Sequence, residues 1–346
     1  MNCLVAFCQA LGQVLNVILI MTGVLGAMLP LQITMLLVYL YGFIHHCIKF
    51  IDDMKIAIYG RRFNQSFNGS IIQIFEMLKK NKIKFYIYRP FATFIKEKLA
   101  YEPACEGLFN HPADNWNDID MVFSVGGDGT FLETVNMIKH KGIPILGINS
   151  GRLGFLSYVS REEIPIALEQ VLKGEYTLEQ RSLLEVNTEM DDFGDNNFAL
   201  NEAALQKYVS ASMIKINAFY NDELINTYWS DGLIVSTPTG SSAYSLSCGG
   251  PIVHPNSNNF VITPIAPHNL TVRPLVISDE GTITLKLEGI QKSAKLSLDY
   301  RSVHRTFLEE IVVKKADFSI NLVKLFNNNY FSTLQKKLMW GVDMRN

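Results

Sequence analysis

The stretch Ile119-Asp120-Met121-Val122-Phe123-Ser124-Val125-Gly126-Gly127-Asp128-Gly129-Thr130 decides the fold. Its mostly apolar first half predicts a buried strand, its glycines predict a tight turn, and an amphipathic segment that predicts a helix follows. Glycines let bare N–H groups approach a ligand, and the N-terminus of a helix carries partial positive charge, so the turn suits phosphate. Asp128 is placed to accept a proton from an attacking hydroxyl or to help hold a metal ion. An aspartate that only caps the helix would fit the same residues equally well.

Length and charge limit the classes of protein to which this chain can belong. The chain has 346 residues, enough for two domains, and a formal net charge of -2, which gives no basic footprint for nucleic acid. After residue 53 the only cysteines are Cys105 and Cys248, too few for a disulfide framework. We therefore expect a cytoplasmic protein that does not bind nucleic acid.

Residues 1–53 form an apolar leader that stands apart from the rest of the chain. No Asp, Glu, Lys or Arg occurs before Lys49, and Val14 to Ile44 is long enough to cross a bilayer. One interpretation is a membrane anchor that leaves the rest of the chain in the cytoplasm. We favour the other interpretation, in which translation starts at Met54, directly before the first strand, and a membrane is not involved.

Residues 54–180 have the pattern of an α/β domain. Strands are predicted at Ile56 to Tyr59, at Phe85 to Tyr88 and at Ile143 to Ile148. One helix is predicted after a cap at Ser70, one after the glycine turn, and one around Ile164 to Leu172; about thirty residues rich in Pro, Asn and Asp follow Tyr88. Alternating strands and helices predict a parallel sheet, whose carboxyl edge would carry Asp128. The segment Asn149 to Leu156 would reach the same edge.

The hydrophobic period changes at about Arg181. Residues 181–318 alternate apolar and polar positions and predict a mostly β domain. A short strand is predicted at Phe318 to Leu322, followed by a mixed segment, and we expect residues 319–346 to return to the first domain.

A second informative stretch begins at Asp231 and runs to Ile252. A strand leads into a run of small hydroxyl residues and glycines, which offers many short donors to a ligand, with Tyr244 able to stack or to hydrogen-bond. Alone, the run is equally typical of a surface loop. Asn201 and Glu202 follow the strand Phe198 to Leu200 and could bind two ribose hydroxyls, or could be a solvated pair.

Several common nucleotide and metal motifs are absent from the sequence. There is no GxxxxGK[ST] loop and no GxGxxG after a strand, which excludes a P-loop enzyme and weakens a dehydrogenase interpretation. The His45-His46 pair lies in the leader without Cys or carboxylate partners, so it does not indicate a metal site.

Together these motifs resemble the NAD kinase family from Met54 onward. The matching segments are GGDGT at Gly126 to Thr130, GINSGRLGFL at Gly147 to Leu156, ALNEA at Ala199 to Ala203, DGLIVSTPTGSSAYSLSCGGPI at Asp231 to Ile252 and PHNLTVRPLVI at Pro267 to Ile277. GGDG alone is shared with lipid kinases and phosphofructokinases. The long Thr-Gly-Ser segment, in order and spacing with the others, is far more specific.

The resemblance implies ATP-dependent phosphorylation of the adenosine-ribose 2′-hydroxyl of NAD, with a divalent cation such as magnesium. It implies a Rossmann-like parallel-sheet domain and a C-terminal β-sandwich domain with the active site between them, in a homo-oligomer. Asp128 would accept the proton. The residues implied to bind the nucleotides are Asp128, Gly129, Thr130, Phe131, Asn201, Glu202, Asp231, Ser242, Ala243, Tyr244, Ser245, Leu246 and Ser247.

Some positions depart from the family pattern. Tyr300-Arg301 stands where a Gly-Gln pair is common after Asp299, which puts one dinucleotide contact in doubt, and Ser242 replaces a usual threonine. Two other functions remain open: a lipid kinase of the GGDG superfamily, acting on diacylglycerol-like lipids, and a dinucleotide-binding sensor without turnover.

Overall fold

The computed structural model describes residues 54–114, 116, 118–208, 212–288, 293–305, 310–326 and 329–341. The apolar leader, 1–53, lies outside the described residues. In the part of the chain that is described, no helix is long and apolar enough to span a membrane.

The described elements are listed here in chain order. The strands are β1 Lys55–Gly60, β2 Lys84–Tyr88, β3 Gly107–Phe109, β4 Met121–Gly126, β5 Ile145–Asn149, β6 Tyr176–Thr188, β7 Phe198–Ala199, β8 Glu202–Lys207, β9 Ile214–Tyr220, β10 Glu223–Ser230, β11 Gly232–Ser236, β12 Asn259–Ile265, β13 Leu275–Ser278, β14 Ile283–Glu288, β15 Ala294–Leu298, β16 Arg301–Arg305 and β17 Glu310–Leu325. The helices are α1 Asn68–Lys80, α2 Arg89–Leu99, α3 Asp128–Ile138, α4 Ile164–Leu172, α5 Tyr244–Ser247 and α6 Tyr330–Leu338.

The chain divides into two compact units. The first contains the described residues up to Asp128, Leu146–Thr177 and the described residues from Val323. The second contains Gly129–Ile145 and Leu178–Leu322. The domain boundaries drawn from the sequence, at 180 and 318, remain a prediction.

The first unit is built on the predicted parallel sheet. Its strands lie in the order β3, β2, β1, β4, β5, and β1 pairs in parallel with both β2 and β4. Every residue of β4 and β5 is buried, as expected for parallel strands covered on both faces. The strand β4 ends at Gly126 and α3 begins at Asp128, so the strand, turn and helix predicted around the glycines are confirmed.

The second unit consists of antiparallel sheets around one core. One sheet has the order β13, β12, β11, β8, β15, β16, and the other contains β10, β9, β14 and β17, with β6 and β7 beside them. Alternate residues of both sheets meet in a single cluster that includes Leu205, Leu233, Ile216 and Leu285. This arrangement confirms the β-sandwich class, because period-2 strands bury one face each.

Two local predictions were wrong, and one helix was not predicted. The helix α1 begins at Asn68, two residues before Ser70, because a 3-10 turn at Gln65–Phe67 runs directly into it. The segment after Tyr88, for which the sequence analysis named no element, contains α2, whose buried face is only Phe91 and Ile95 and whose proline occupies the first turn, where proline is tolerated. The strand predicted as short near residue 320 is the sixteen-residue β17, and α6 follows it.

Candidate functional site

The Asp128 carboxylate is bound by a loop of the first unit. Its Oδ2 accepts the N–H of Phe155 at 2.9 Å, and its Oδ1 accepts the N–H groups of Leu156 and Ser157, each at 3.0 Å. We call this three-amide arrangement the Asp128 clamp. The aspartate therefore does more than cap its own helix: it fixes the second sequence motif against the glycine turn.

Two glycines of that motif make the clamp possible. A Cβ atom on Gly154 would lie 2.0 Å from Asp128 Oδ1, and one on Gly147 would lie 2.2 Å from the carbonyl oxygen of Leu156. Both separations are far below contact distance, so only glycine fits at either position. By contrast, a Cβ on Gly127 or Gly129 would have no heavy atom within 4 Å. The turn is therefore open on the sides of these two glycines.

Asn149 holds the beginning of the same loop. Its side chain is buried, its Oδ1 accepts the N–H of Gly151 at 2.7 Å, and its Nδ2 donates to the carbonyl oxygen of Ser157 at 3.2 Å. A cavity of about 290 Å³ opens beside the loop, lined by Ser66, Asn149, Ser150, Gly151, Leu153, Ser160, Arg161 and Glu162. The largely polar lining would suit a hydrophilic ligand.

Lys337 is a further partner of Asp128 that the sequence analysis missed. Its ammonium lies 3.1 Å from Asp128 Oδ2 and 4.5 Å from the ring centroid of Phe155. The residue lies near the end of α6, 209 positions along the chain from Asp128. A pair of lysines in a mixed C-terminal segment carries no signal for this contact, because nothing local distinguishes them from a solvated helix face.

Asp299 builds a second clamp, in the second unit. Its carboxylate accepts the N–H groups of Leu200 at 3.0 Å, Asn201 at 2.8 Å and Glu202 at 3.2 Å. Its own N–H donates to the carbonyl oxygen of Glu202 at 3.0 Å. We call this the Asp299 clamp. Burial raises the pKa of Asp299, while the three amide hydrogen bonds and the charge of Arg301 oppose that rise.

Glu202 is a second buried carboxyl group of this site. Its side chain is only 9% exposed, and no described residue pairs with its Oε2. Burial, followed by the negative charge of Asp299, raises the pKa of Glu202 to about 8, against a smaller opposing effect of the Tyr244 N–H. At neutral pH the group therefore carries a proton, and its Oε2 is buried without a partner among the described residues.

The Thr-Gly-Ser segment packs directly against Asn201. The N–H of Thr237 donates to the carbonyl oxygen of Asn201 at 2.9 Å, and the hydroxyl of Thr237 donates to that of Leu200 at 2.6 Å. A Cβ on Gly240 would lie 2.1 Å from the same Asn201 oxygen. The structure thus brings two of the sequence motifs together, and the buried threonines and serines show that the run is not a surface loop.

The residues Ser242 to Ser247 differ in what they can offer a ligand. Tyr244 is partly exposed, and its hydroxyl accepts the Nε2–H of Gln206 at 2.9 Å; burial raises its pKa. Ser245 is fully buried and its hydroxyl shares a hydrogen bond of 2.8 Å with Thr263. The Ser242 hydroxyl donates to the Thr239 carbonyl at 3.2 Å. Ala243, Leu246 and Ser247 are at least partly accessible.

Asp231 lies at the far end of the same strand pair from Glu202. In the register of β8 and β11, Ser236 faces Glu202 and Gly232 faces Gln206. Five residues of strand separate the two carboxyl groups, which amounts to roughly 16 Å. The Asp231 side chain pairs with Lys207 at 2.7 Å.

Thr130 and Phe131 follow the glycine turn inside α3. Thr130 is buried, and the Phe131 side chain is 1% exposed. Any contact of Phe131 with a nucleotide would therefore come from its backbone.

Comparison with known proteins decides the family. A model described as the ATP-NAD kinase N-terminal domain matches residues 73–176, and one described as the ATP-NAD kinase C-terminal domain matches residues 200–325. An NAD kinase of Cytophaga hutchinsonii is 43% identical over 293 residues, covering 85% of this chain and 100% of that protein. An NAD kinase of Bacteroides fragilis is 43% identical over 292 residues, covering 84% of this chain and 100% of that protein. The chain belongs to the NAD kinase family.

Two solved structures of NAD kinase family members resemble the model. Yeast NADH kinase complexed with NADH superposes with a TM-score of 0.73 at 25% identity, covering 84% of this chain and 89% of that chain. An NAD kinase from Archaeoglobus fulgidus in complex with ATP superposes with a TM-score of 0.65 at 28% identity, covering 83% of this chain and 99% of that chain.

The departure from the NAD kinase pattern at Tyr300-Arg301 has a structural role. The Arg301 guanidinium donates to the carbonyl oxygens of Asn196 and Phe198 and lies over the Phe198 ring. Tyr300 is half exposed, and its hydroxyl accepts the Nδ2–H of Asn136 at 3.3 Å. The Arg301 guanidinium is therefore bound to backbone carbonyl oxygens of the protein itself.

Magnesium, which the NAD kinase family implies, has no site built from protein ligands alone in the described residues. Within those ranges, no three His, Cys, Asp or Glu side chains are grouped so that they could hold a metal ion. The Asp128 oxygens, the nearest acidic donors to the glycine turn, are already engaged by the clamp and Lys337.

Proposed function

We propose that this protein transfers the terminal phosphoryl group of ATP to the 2′-hydroxyl of the adenosine ribose of NAD, giving NADP. The observation that carries the proposal is the Asp128 clamp, which holds a carboxylate rigidly at an open glycine turn in a chain of the NAD kinase family. The relatives are NAD kinases, and the similar structures hold NADH and ATP. A lipid kinase is therefore not favoured.

In this mechanism Asp128 is the proton acceptor for the attacking 2′-hydroxyl. The amides of Gly129 and its neighbours at the start of α3 face the transferred phosphate, because a helix N-terminus stabilises negative charge. Phosphoryl transfer depends mainly on positioning and charge stabilisation, and a rigid clamp meets the first requirement.

The NAD contacts in this proposal come from the residues that the sequence motifs named. Asn201 and Glu202 bind the ribose hydroxyls. Tyr244 and the accessible part of Ser242 to Ser247 hold the bases and phosphates, and Asp231 contacts the far end of the dinucleotide. Ser245 and the Phe131 side chain contribute by shaping the site, since both are buried.

We further propose that magnesium arrives with the ATP phosphates, which usually supply several of its oxygen ligands. When bound, the ion would neutralise phosphate charge.

Location and assembly are proposed from other features of the chain. Cys105 and Cys248 are both free, which fits the reducing cytoplasm. Trp229, Leu270 and Val276 of the second unit are exposed apolar residues that would suit a homo-oligomer interface. Sedimentation velocity tests the assembly, and a monomer at micromolar concentration would contradict it.

The deciding experiment measures NADP formation from NAD and ATP with magnesium, using the full chain and Asp128→Asn. We expect turnover by the parent and a loss of about a hundredfold or more in kcat in the variant, as for a removed general base. The control is Asp120→Asn, because Asp120 also accepts a backbone N–H, that of Lys55 at 2.7 Å, but lies before the opposite end of β4. NAD binding without turnover by the parent would instead establish the sensor.

A further inference from the structure

The hydrogen bonds of Asp128 leave its carboxylate no room for an incoming proton. Each carboxylate oxygen has two lone-pair positions. Oδ1 is used by the amides of Leu156 and Ser157, and Oδ2 is used by the amide of Phe155 and by the ammonium of Lys337. A general base must offer a free lone pair to the hydroxyl it deprotonates, so one of these four partners has to leave before transfer.

Lys337 is the partner that can leave. The three amides belong to a loop that is held by Asn149 and by positions 147 and 154, where only glycine fits. Their release would therefore require the loop to unfold. The lysine ammonium instead sits on a flexible four-carbon stem. Its side chain is 30% exposed, which leaves space for it to turn away.

The helix that carries Lys337 is itself fixed. Thr333 and Leu334 of α6 are buried, and the Asn329 side chain caps the helix by accepting the Ser332 N–H at 2.7 Å. The backbone of Lys337 therefore stays near the glycine turn while its ammonium changes partners. The open sides of Gly127 and Gly129 flank the residue to which the ammonium is bound.

We propose that Lys337 is a phosphate-binding residue that exchanges the Asp128 carboxylate for the terminal phosphate of ATP when the nucleotide binds. The exchange vacates one lone pair of Oδ2, which then accepts the proton of the attacking hydroxyl. It also places a positive charge on the phosphate at the moment when charge develops there. Nucleotide binding and activation of the base are thereby one event. This inference rests on the proposed function.

The test compares the parent with Lys337→Met, Lys337→Arg and Lys336→Met in the full chain. The dissociation constant of magnesium ATP is measured by calorimetry, and the KM values for ATP and NAD are measured by initial rates. We expect Lys337→Met to weaken ATP binding about tenfold or more, as for a lost charged hydrogen bond, and to leave NAD binding within about twofold. Lys337→Arg should restore most of the ATP affinity. Lys336→Met, an exposed neighbour on the same helix, should match the parent.

Two results would overturn the proposal. One is unchanged ATP affinity in Lys337→Met. The other is an equal loss of ATP and NAD affinity with a lower Tm, which would mean that the lysine only stabilises α6. Because ATP binding is measured apart from turnover, a parent that binds ATP but makes no NADP would refute the function while the lysine comparison still stands.

Discussion

At the scale of single residues, Glu202 and Asp128 show how the same chemical group can be placed in different surroundings. The Asp128 carboxylate accepts three backbone N–H groups and lies beside the Lys337 ammonium. The Glu202 carboxyl is buried beside another acid, and one of its oxygens lacks a partner among the described residues. The two proposed roles, a proton acceptor at Asp128 and a ribose-binding group at Glu202, thus belong to carboxyl groups with different partners.

Glu202 predicts a pH dependence of stability. Its folded pKa of about 8 lies above the ordinary value of 4.5, so the unfolded chain releases this proton first as the pH rises. The stabilisation that comes from the raised pKa of Glu202 is therefore fully present below about pH 4.5 and is lost by about pH 8. With about 1.4 kcal/mol per unit, the loss amounts to at most about 4 to 5 kcal/mol.

Glu202→Gln should remove that loss, because glutamine mimics the protonated acid. We expect the variant to have a higher Tm than the parent at pH 8.5 and a similar Tm at pH 5, measured by thermal unfolding. Glu223→Gln, at an exposed position in β10, is the control and should follow the parent at both values. A variant without a pH-dependent advantage would show that Glu202 is charged in the folded protein.

At the scale of elements, the loop between β5 and α4 owes its shape to the Asp128 clamp. The clamp needs a residue without a side chain at 154, since a Cβ there would lie 2.0 Å from Asp128 Oδ1. If a Cβ atom is introduced at position 154, either the Asp128 carboxylate or the loop must move.

Gly154→Ala should therefore lower kcat by at least about tenfold and cost about 1 to 3 kcal/mol of stability, as overpacking typically does. Gly69→Ala is the matched control: a Cβ there meets no atom within 4 Å, and alanine favours a helix. Urea unfolding and NADP formation measure the two effects. If Gly154→Ala had the kcat and the stability of the parent, the loop would be able to accommodate a Cβ atom at position 154.

Elements with a strong period could be predicted from the sequence, and weakly patterned ones could not. The buried face of α1, Ile71, Ile74, Phe75 and Leu78, follows the helical spacing that predicted it. The helix α2 shows only Phe91 and Ile95, and α6 only Thr333 and Leu334, too few to separate from loop. Motifs located Asp128 and Glu202, but the partners Lys337 and Asp299 depend on contacts 209 and 97 residues apart, which no local pattern encodes.

At the scale of the whole molecule, the matched family segments all lie within residues 73–325. The activity should therefore belong to the part of the chain from Met54 onward. We expect residues 54–346 to form NADP at a rate within about threefold of the full chain at saturating substrates, measured side by side. A truncated protein that is folded by circular dichroism but inactive would assign the leader a part in function.

The sequence separations of the two clamps also predict the order in which they form during folding. The Asp128 clamp joins residues 27 to 29 positions apart, whereas the Asp299 clamp joins residues 97 to 99 positions apart. Closing the longer stretch costs about 1 kcal/mol more in chain entropy. A refolding chain should therefore form the Asp128 clamp before the Asp299 clamp. In hydrogen exchange during refolding, the amides of Leu200, Asn201 and Glu202 should gain protection later than those of Phe155, Leu156 and Ser157.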